Sequence, residues 1–352
     1  AKELHGWQEK AYSAGLNTLD MIEVDREIRN FEAHYSFDDF LIALECKRPI
    51  EKRFYVPRRK QLISVVNDLQ SLHDGKLNEL FISMPPRVGK TTLVQLFALW
   101  EAGLDSEKST LYCSYSDTIT SSFYNGLMEI LTDNYSYAWH DIFPKAKFDK
   151  DKNGYTNAKD ETIDIDHPYK RYKTITCRSL YGTLNGSCDC DGTLIADDLV
   201  SGLEESLNKD LLAKIWQITM NDLLARCKQG AKILWIGTRW SLADPIGMRL
   251  SILDDPNNKI PKGWKWKVIN VPALNDEGKS NFDYLFKVGF DTDNYLMKRM
   301  SFESTGDEAS WLAQYMGQPI ERSGLVFPPE SLNYYNGVLP RGTPDRIFAY
   351  SD

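Results

Sequence analysis

The sequence has no apolar run approaching the roughly 18 uninterrupted residues of a membrane-spanning helix, so no membrane partner is expected. Its opening residues, Ala1-Lys2-Glu3-Leu4, carry none of the features of a secretory leader, and none is expected. The six cysteines, at 46, 113, 177, 188, 190 and 227, lack the spacing of a secreted disulfide framework and fit a reducing cytosol. Cys188-Asp-Cys190 with Cys177 lacks C-x-x-C spacing and has no His nearby, which argues against zinc. Net positive charge is also missing. At −8, with a pI of about 5.3, the chain is no indiscriminate nucleic-acid coat, although a local basic face is compatible with that total. The densest basic stretch, Lys47 to Lys60, reads equally as a solvated loop and helix start or as a phosphate-facing surface.

What is present is ample apolar content, 42% of 352 residues, enough for one large α/β domain or two smaller ones. The most informative stretch is Phe81-Ile-Ser-Met-Pro-Pro-Arg-Val-Gly-Lys-Thr-Thr92, where an apolar strand runs into a turn ending Gly89-Lys90-Thr91 before a helix-compatible segment. Backbone N–H groups at such a helix start cradle phosphate, a lysine reaches the β/γ oxygens, and the hydroxyl that follows binds Mg²⁺. The residues expected around the nucleotide are therefore Pro86, Arg87, Val88, Gly89, Lys90, Thr91 and Thr92, with Gln61 contributing from the preceding helix. Met84 stands where the G-x-x-x-x-G-K-[ST] pattern has its first glycine.

A second signal supports the first. Thr193-Leu-Ile-Ala-Asp197-Asp198 is a short apolar strand that delivers two acids at its carboxyl end. ATP hydrolysis needs one carboxylate on the Mg²⁺ and a neighbour that orients the attacking water. Asp197 is expected to hold the metal with Thr91, and Asp198 to orient the water, with Glu204 or Glu205 as the alternatives. A third strand, Lys232 to Trp240, ends in Thr238 and Arg239, placed to sense the γ-phosphate and link hydrolysis to movement.

The remaining pattern predicts helices before residue 55, including Phe37 to Leu44, and an amphipathic helix from Arg59 to Leu72. Strands are expected at Leu77–Ser83, Ser109–Ser116, Lys173–Cys177, 193–197 and Val268–Val271. Helices are expected from Thr91 to Gly103, where the glycine would end the helix, after Ser116 to about Thr132, and from Leu207 to Cys227. The polar segment from Pro144 to Pro168 reads as an inserted loop or hairpin. Its Asp149-x-Asp151-x-Asn153-Gly154, with Asp160, approaches a calcium loop but lacks the final Glu and flanking helices. Strands alternating with helices, each delivering polar groups at its carboxyl end, predict a doubly wound, mainly parallel sheet of the P-loop NTPase, ASCE-like type.

Taken in order, Met84-Pro-Pro-Arg-Val-Gly-Lys-Thr, Cys113-Ser-Tyr-Ser, Gly182-Thr-Leu-Asn-Gly186, Leu194-Ile-Ala-Asp-Asp and Glu204-Glu205-Ser206 resemble the large terminase subunit of tailed bacteriophages. Ile236-Gly-Thr-Arg-Trp240 with Asp244, and Trp311-Leu-Ala-Gln-Tyr315-x-Gly-Gln-Pro319, extend the likeness from about residue 55 to the end. The resemblance implies an ATP- and Mg²⁺-dependent motor that drives double-stranded DNA through a portal protein into a procapsid, in the host cytoplasm. It also implies a small terminase subunit as partner, a homo-oligomeric ring on the portal and a monomer away from it. A nucleotide-gated assembly factor, or a helicase-like translocase with weak hydrolysis, is the alternative. The implied organisation is a helical N-terminal region (1–55), a P-loop ATPase domain (56–320) and a linker with the first strand of a ribonuclease-H-like nuclease (321–352). In that last segment Arg346-Ile-Phe-Ala-Tyr-Ser-Asp352 would end at the first metal-binding acid of an incomplete nuclease site, so DNA cutting is not expected of this polypeptide. Carried over by position, Arg87 would contact the γ-phosphate or switch between packing and catalytic poses. Ser187 stands where relatives often carry a finger arginine, which leaves Arg178 as an alternative finger.

Overall fold

The computed structural model describes residues 18–320, apart from 153, 167–170, 185 and 187. Asp352, Ser187, Asn153 and the nuclease stub lie outside the described residues. Residues 18–320 belong to one compact unit.

At its centre is an eight-stranded sheet. In chain order the strands are β1 (Glu79–Ser83), β2 (Thr110–Ser114), β3 (Thr156–Asn157), β4 (Thr162–Ile163), β5 (Ile175–Ser179), β6 (Thr193–Asp197), β7 (Lys232–Gly237) and β8 (Trp266–Asn270). Across the sheet they lie in the order β3-β4-β5-β2-β6-β7-β1-β8. All neighbours from β5 to β8 are parallel, and only the β3–β4 and β4–β5 pairs are antiparallel. The polar insertion is thus a hairpin that extends one sheet edge. One strand, β7, separates β1, which enters the Met84–Gly89 turn, from β6, which ends at Asp197.

The helices are α1 (Thr18–Glu32), α2 (Phe37–Leu44), α3 (Arg59–His73), α4 (Lys90–Leu104), α5 (Asp117–Thr132), α6 (Trp139–Ile142), α7 (Leu203–Leu207), α8 (Lys209–Ile218), α9 (Pro245–Asp254), α10 (Thr292–Ser304) and α11 (Glu308–Met316). Short polar side chains start several of them. Ser36, Ser116, Asn208, Asp244 and Asp291 each accept a backbone N–H of the first turn, satisfying a donor that the helix itself leaves open. Among the described residues no helix is long and apolar enough to cross a membrane.

Alternation along each strand divides the core in two. Leu80, Ile82, Tyr112, Ile195, Leu234 and Ile236 face one layer, with Phe37, Phe40, Leu69 and Phe123 from the helices. Phe81, Leu111, Leu194, Ala196, Ile233 and Trp235 face the other, with Leu212, Ile215 and Ile246. The N-terminal helices therefore bury Phe37 and Phe40 in the same core as the sheet.

Two helix ends differ from expectation. Gly103 does not stop α4, which runs to Leu104 with Asp105 at its cap. The glycine is there because a Cβ would come within 2.4 Å of the Phe143 ring. The helix expected from Leu207 to Cys227 is a short α7, a break at Asn208, and α8 continuing into a π-helical turn (Thr219–Leu223) and a 3₁₀ turn (Leu224–Arg226).

Candidate nucleotide site

The site is built where β1, β7 and β6 end side by side. Beyond Ser83 the chain turns through Met84–Gly89 and enters α4 at Lys90. The left-handed residues of this turn are Arg87 (φ 63) and Gly89 (φ 100). Position 84 has no positive φ, and its side chain is buried in the core, so the missing first glycine is no steric problem. Gly89 is constrained from outside as well, since a Cβ would sit 2.7 Å from the Phe54 ring.

Lys90 is 5% exposed. Its Nζ donates to the carbonyls of Met84 (2.9 Å) and Pro85 (3.4 Å) and to Thr238 Oγ1 (2.6 Å). The lysine thus bridges the loop to the end of β7. Thr91 Oγ1 donates to Asp197 Oδ2 at 3.0 Å, and the Tyr112 hydroxyl donates to the same oxygen at 3.0 Å. Asp197 is 1% exposed, and its second oxygen, Oδ1, is buried without a hydrogen-bond partner. Burial, then the neighbouring Asp198 carboxylate, push the Asp197 carboxyl up to about 7 against the pull of Lys90. Burial likewise holds the Tyr112 phenol well above its ordinary range, so it remains a donor.

Asp198 follows the strand in a left-handed conformation (φ 43), which turns its carboxylate out of the β6 alternation. Its N–H donates to Ile236 O (3.0 Å), and its Oδ1 accepts the Thr238 N–H (2.7 Å). Gly237 makes room for this, because a Cβ there would lie 2.8 Å from Asp198 Oδ1. Asp198 and Lys90 therefore meet through one residue, Thr238. An open cleft of 370 Å³ lies over these groups, lined by Pro86, Arg87, Gly89, Lys90, Thr91, Thr92 and Asp198.

No family model matches the chain, and no curated protein matches it in sequence. Among solved structures it is similar to the large terminase ATPase domain of Thermus phage P74-26, with 12% identity and a TM-score of 0.42 over 72% of this chain and 93% of that one. It is also similar to the large terminase of bacteriophage HK97, with 11% identity and a TM-score of 0.45 over 72% of this chain. The chain spans about half of that protein, 49% of its length.

Other expected residues are placed differently. Arg239 does not join Thr238 beside Lys90. It is buried and pairs with Asp244 (3.0 Å), the residue that caps α9, because neighbouring residues at a strand end point to opposite sides. Gln61 stands behind the loop rather than on the cleft. Its Nε2 donates to Asp283 O (2.9 Å), and the adjacent Tyr284 hydroxyl donates to Val88 O (3.1 Å). Glu205 accepts the Ser201 N–H (2.7 Å) and Glu204 is exposed, and neither lines the cleft. Arg178 donates to the carbonyls of Asp160 and Cys177, so it clasps the edge hairpin. The basic stretch is largely paired internally. Lys47 meets Asp141, Arg48 meets Glu45, Arg59 meets Asp38, and Arg53 binds the carbonyls of Cys46 and Arg48.

Sequence reasoning missed Tyr112 and Gly237. A tyrosine inside an apolar strand is itself a signal, since its buried hydroxyl requires a partner. Which partner it finds depends on strand order.

Proposed function

We propose that this chain is the ATPase part of a terminase large subunit of the tailed-phage type, hydrolysing ATP to drive double-stranded DNA into a procapsid. One observation carries the reading. A buried lysine, a hydroxyl and two adjacent carboxylates converge from neighbouring strand ends under an open cleft, and one carboxylate oxygen is left without a partner. The motif order that resembles large terminases supplies the assignment within nucleotide-binding folds.

The donor set suits Mg²⁺. Thr91 and Asp197 offer hard oxygens, and the unpartnered Oδ1 is a buried acceptor awaiting a cation or its water. Among the described residues no three His, Cys, Asp or Glu side chains could jointly hold a metal, which suits an ion that takes most of its ligands from phosphate and water. Bound there, Mg²⁺ would supply charge neutralisation across the β- and γ-phosphates.

The chain's own groups would do the rest. The start of α4 presents backbone N–H groups to phosphate. Lys90 would exchange its carbonyl acceptors for phosphate oxygens. Arg87, exposed at the lip of the cleft, would reach the γ-phosphate. Asp198, held by the Thr238 N–H, would orient the attacking water and accept its proton. Thr238 loses its Lys90 contact when the lysine moves, so it would register an occupied cleft and relay this along β7. In this reading the chain works in the host cytoplasm as a monomer that becomes a ring on the portal protein, meets the small terminase subunit, and takes duplex DNA as cargo.

The test is phosphate release with Mg²⁺, measured with and without duplex DNA, portal protein and small subunit. Steady turnover that rises when the partners are added is expected. Nucleotide binding without turnover under every condition would favour a gated assembly factor instead.

A further inference from the structure

Tyr112 belongs to β2, opposite Ile195 of β6 in the parallel register. It shares the sheet face of Ile195. Its side chain is long enough to pass Ile195 and reach the strand end. Its ring is fully buried and stacks on Phe123 of α5, with centroids 3.5 Å apart and planes at 11°. A ring clamped in this way holds its hydroxyl at one point, and that point is 3.0 Å from Asp197 Oδ2.

We infer that Tyr112 is a positioning residue for the Asp197 carboxylate, fixing which of its two oxygens is presented to a cation. The inference rests on the nucleotide-hydrolysing reading above. A carboxylate is symmetric and its terminal torsion is broad, so an isolated Asp197 would exchange its oxygens freely. Two donors, Thr91 and Tyr112, both aim at Oδ2, and Oδ1 is left buried and unpartnered. The two donors are not equivalent. The Thr91 oxygen is itself an expected cation ligand and Thr91 lines the cleft, whereas Tyr112 comes from β2, is fully buried and is off the cleft lining. Once Thr91 is engaged, Tyr112 is the neighbour that keeps Oδ1 in place. Such outer partners of a metal-binding side chain are commonly worth about 10- to 100-fold in metal affinity.

The experiment is Tyr112→Phe, which keeps the ring and its stack and removes only the hydroxyl. Binding of a fluorescent ADP analogue is titrated with Mg²⁺, and separately measured in excess chelator. We expect the Mg²⁺ midpoint to rise about 10-fold or more, with metal-free nucleotide affinity and the melting temperature nearly unchanged. In an Asp197→Asn background the same substitution should add no further effect, because there is no longer a carboxylate to orient. A Mg²⁺ midpoint within about twofold of wild type would overturn the assignment. So would an equal loss in chelator, or a lowered melting temperature that accounts for the change, since either marks a purely structural role. If the wild-type chain itself shows no Mg²⁺-dependent nucleotide binding, the functional reading fails and the Tyr112 role fails with it. Wild type binding normally with the variant indistinguishable from it removes Tyr112 alone.

Discussion

Two buried acids stand at opposite ends of the parallel strands, Glu79 opening β1 and Asp197 closing β6. Glu79 is fully buried, and both oxygens are satisfied. Oε1 accepts from Trp264 Nε1 (2.9 Å) and Arg249, and Oε2 accepts from Trp235 Nε1 (3.0 Å) and Arg249 Nε (3.0 Å). Asp197 is as deeply buried, yet it faces another carboxylate and keeps one oxygen unpartnered. Depth of burial therefore does not distinguish scaffold from site here. Saturation does. A buried charge whose partners are complete is costly to disturb, because removing one partner leaves the other uncompensated. An incomplete one is a standing cost that a ligand can relieve.

The contrast can be broken from either end. The largest effect is expected from Lys90→Ala, which removes the positive charge at the base of the cleft. Phosphate release should fall to background and nucleotide affinity should drop strongly, and near-normal turnover would mean the site is misplaced. At the scaffold end, Glu79→Ala leaves the half-buried Arg249 without its carboxylate. It should cost about 3–5 kcal/mol in chemical denaturation while the folded protein binds nucleotide as before, and a selective loss of nucleotide binding would abolish the distinction. Asp198→Asn should keep binding and slow turnover by roughly 10²-fold, the scale of a lost general base. If turnover is unaffected, the water is oriented by a group other than Asp198.

The subtlest test sharpens the contrast through pH. The native Asp197 carboxyl, at about 7, lies above its ordinary value of 3.8, so between those values the folded chain holds a proton that the unfolded chain has released. This group's contribution to stability therefore declines as pH rises from about 4 to 7 and levels off above 7. Melting of the metal-free chain should fall by several degrees between pH 5.5 and pH 8, and Asp197→Asn should remove that component. A pH dependence identical in wild type and variant would show that Asp197 is not the titrating group. Asn at position 197 should leave the metal-free protein at pH 8 at least as stable as wild type, opposite in sign to the change at Glu79.

Much of the fold was legible because its signals are local. The strand at 193–197 is a short apolar run bounded by Gly192 and the acid pair, and the structure places it at Thr193–Asp197. The helix read from Arg59 shows its apolar stripe of Leu62, Val65, Val66, Leu69 and Leu72, all buried. By contrast, α10 offered nothing to read, since Tyr295 is its one buried residue while Leu296, Met297 and Met300 face outward. The Gly89-Lys90-Thr91 turn and the acid pair were visible because the phosphate chemistry proposed for them demands those residue types at close spacing. Contacts across strands were not. That Thr238 meets Lys90 while Arg239 turns to Asp244, or that Tyr112 meets Asp197, depends on strand order and side-chain parity, which no single segment carries.

The Lys90 ammonium shows what that parity implies for selection. It holds three oxygens, from Met84, Pro85 and Thr238. The chain thus carries its own competitor for the cleft, always at full effective concentration. An incoming anion gains only the difference between its oxygens and those three. A lone phosphate brings few and leaves the unpartnered oxygen of Asp197 unanswered. On the proposed function, a polyphosphate arriving with its cation would answer both at once, and by releasing Thr238 would make its arrival felt at Asp198. On the same reading, discrimination against small anions would follow from the three oxygens that Lys90 already holds.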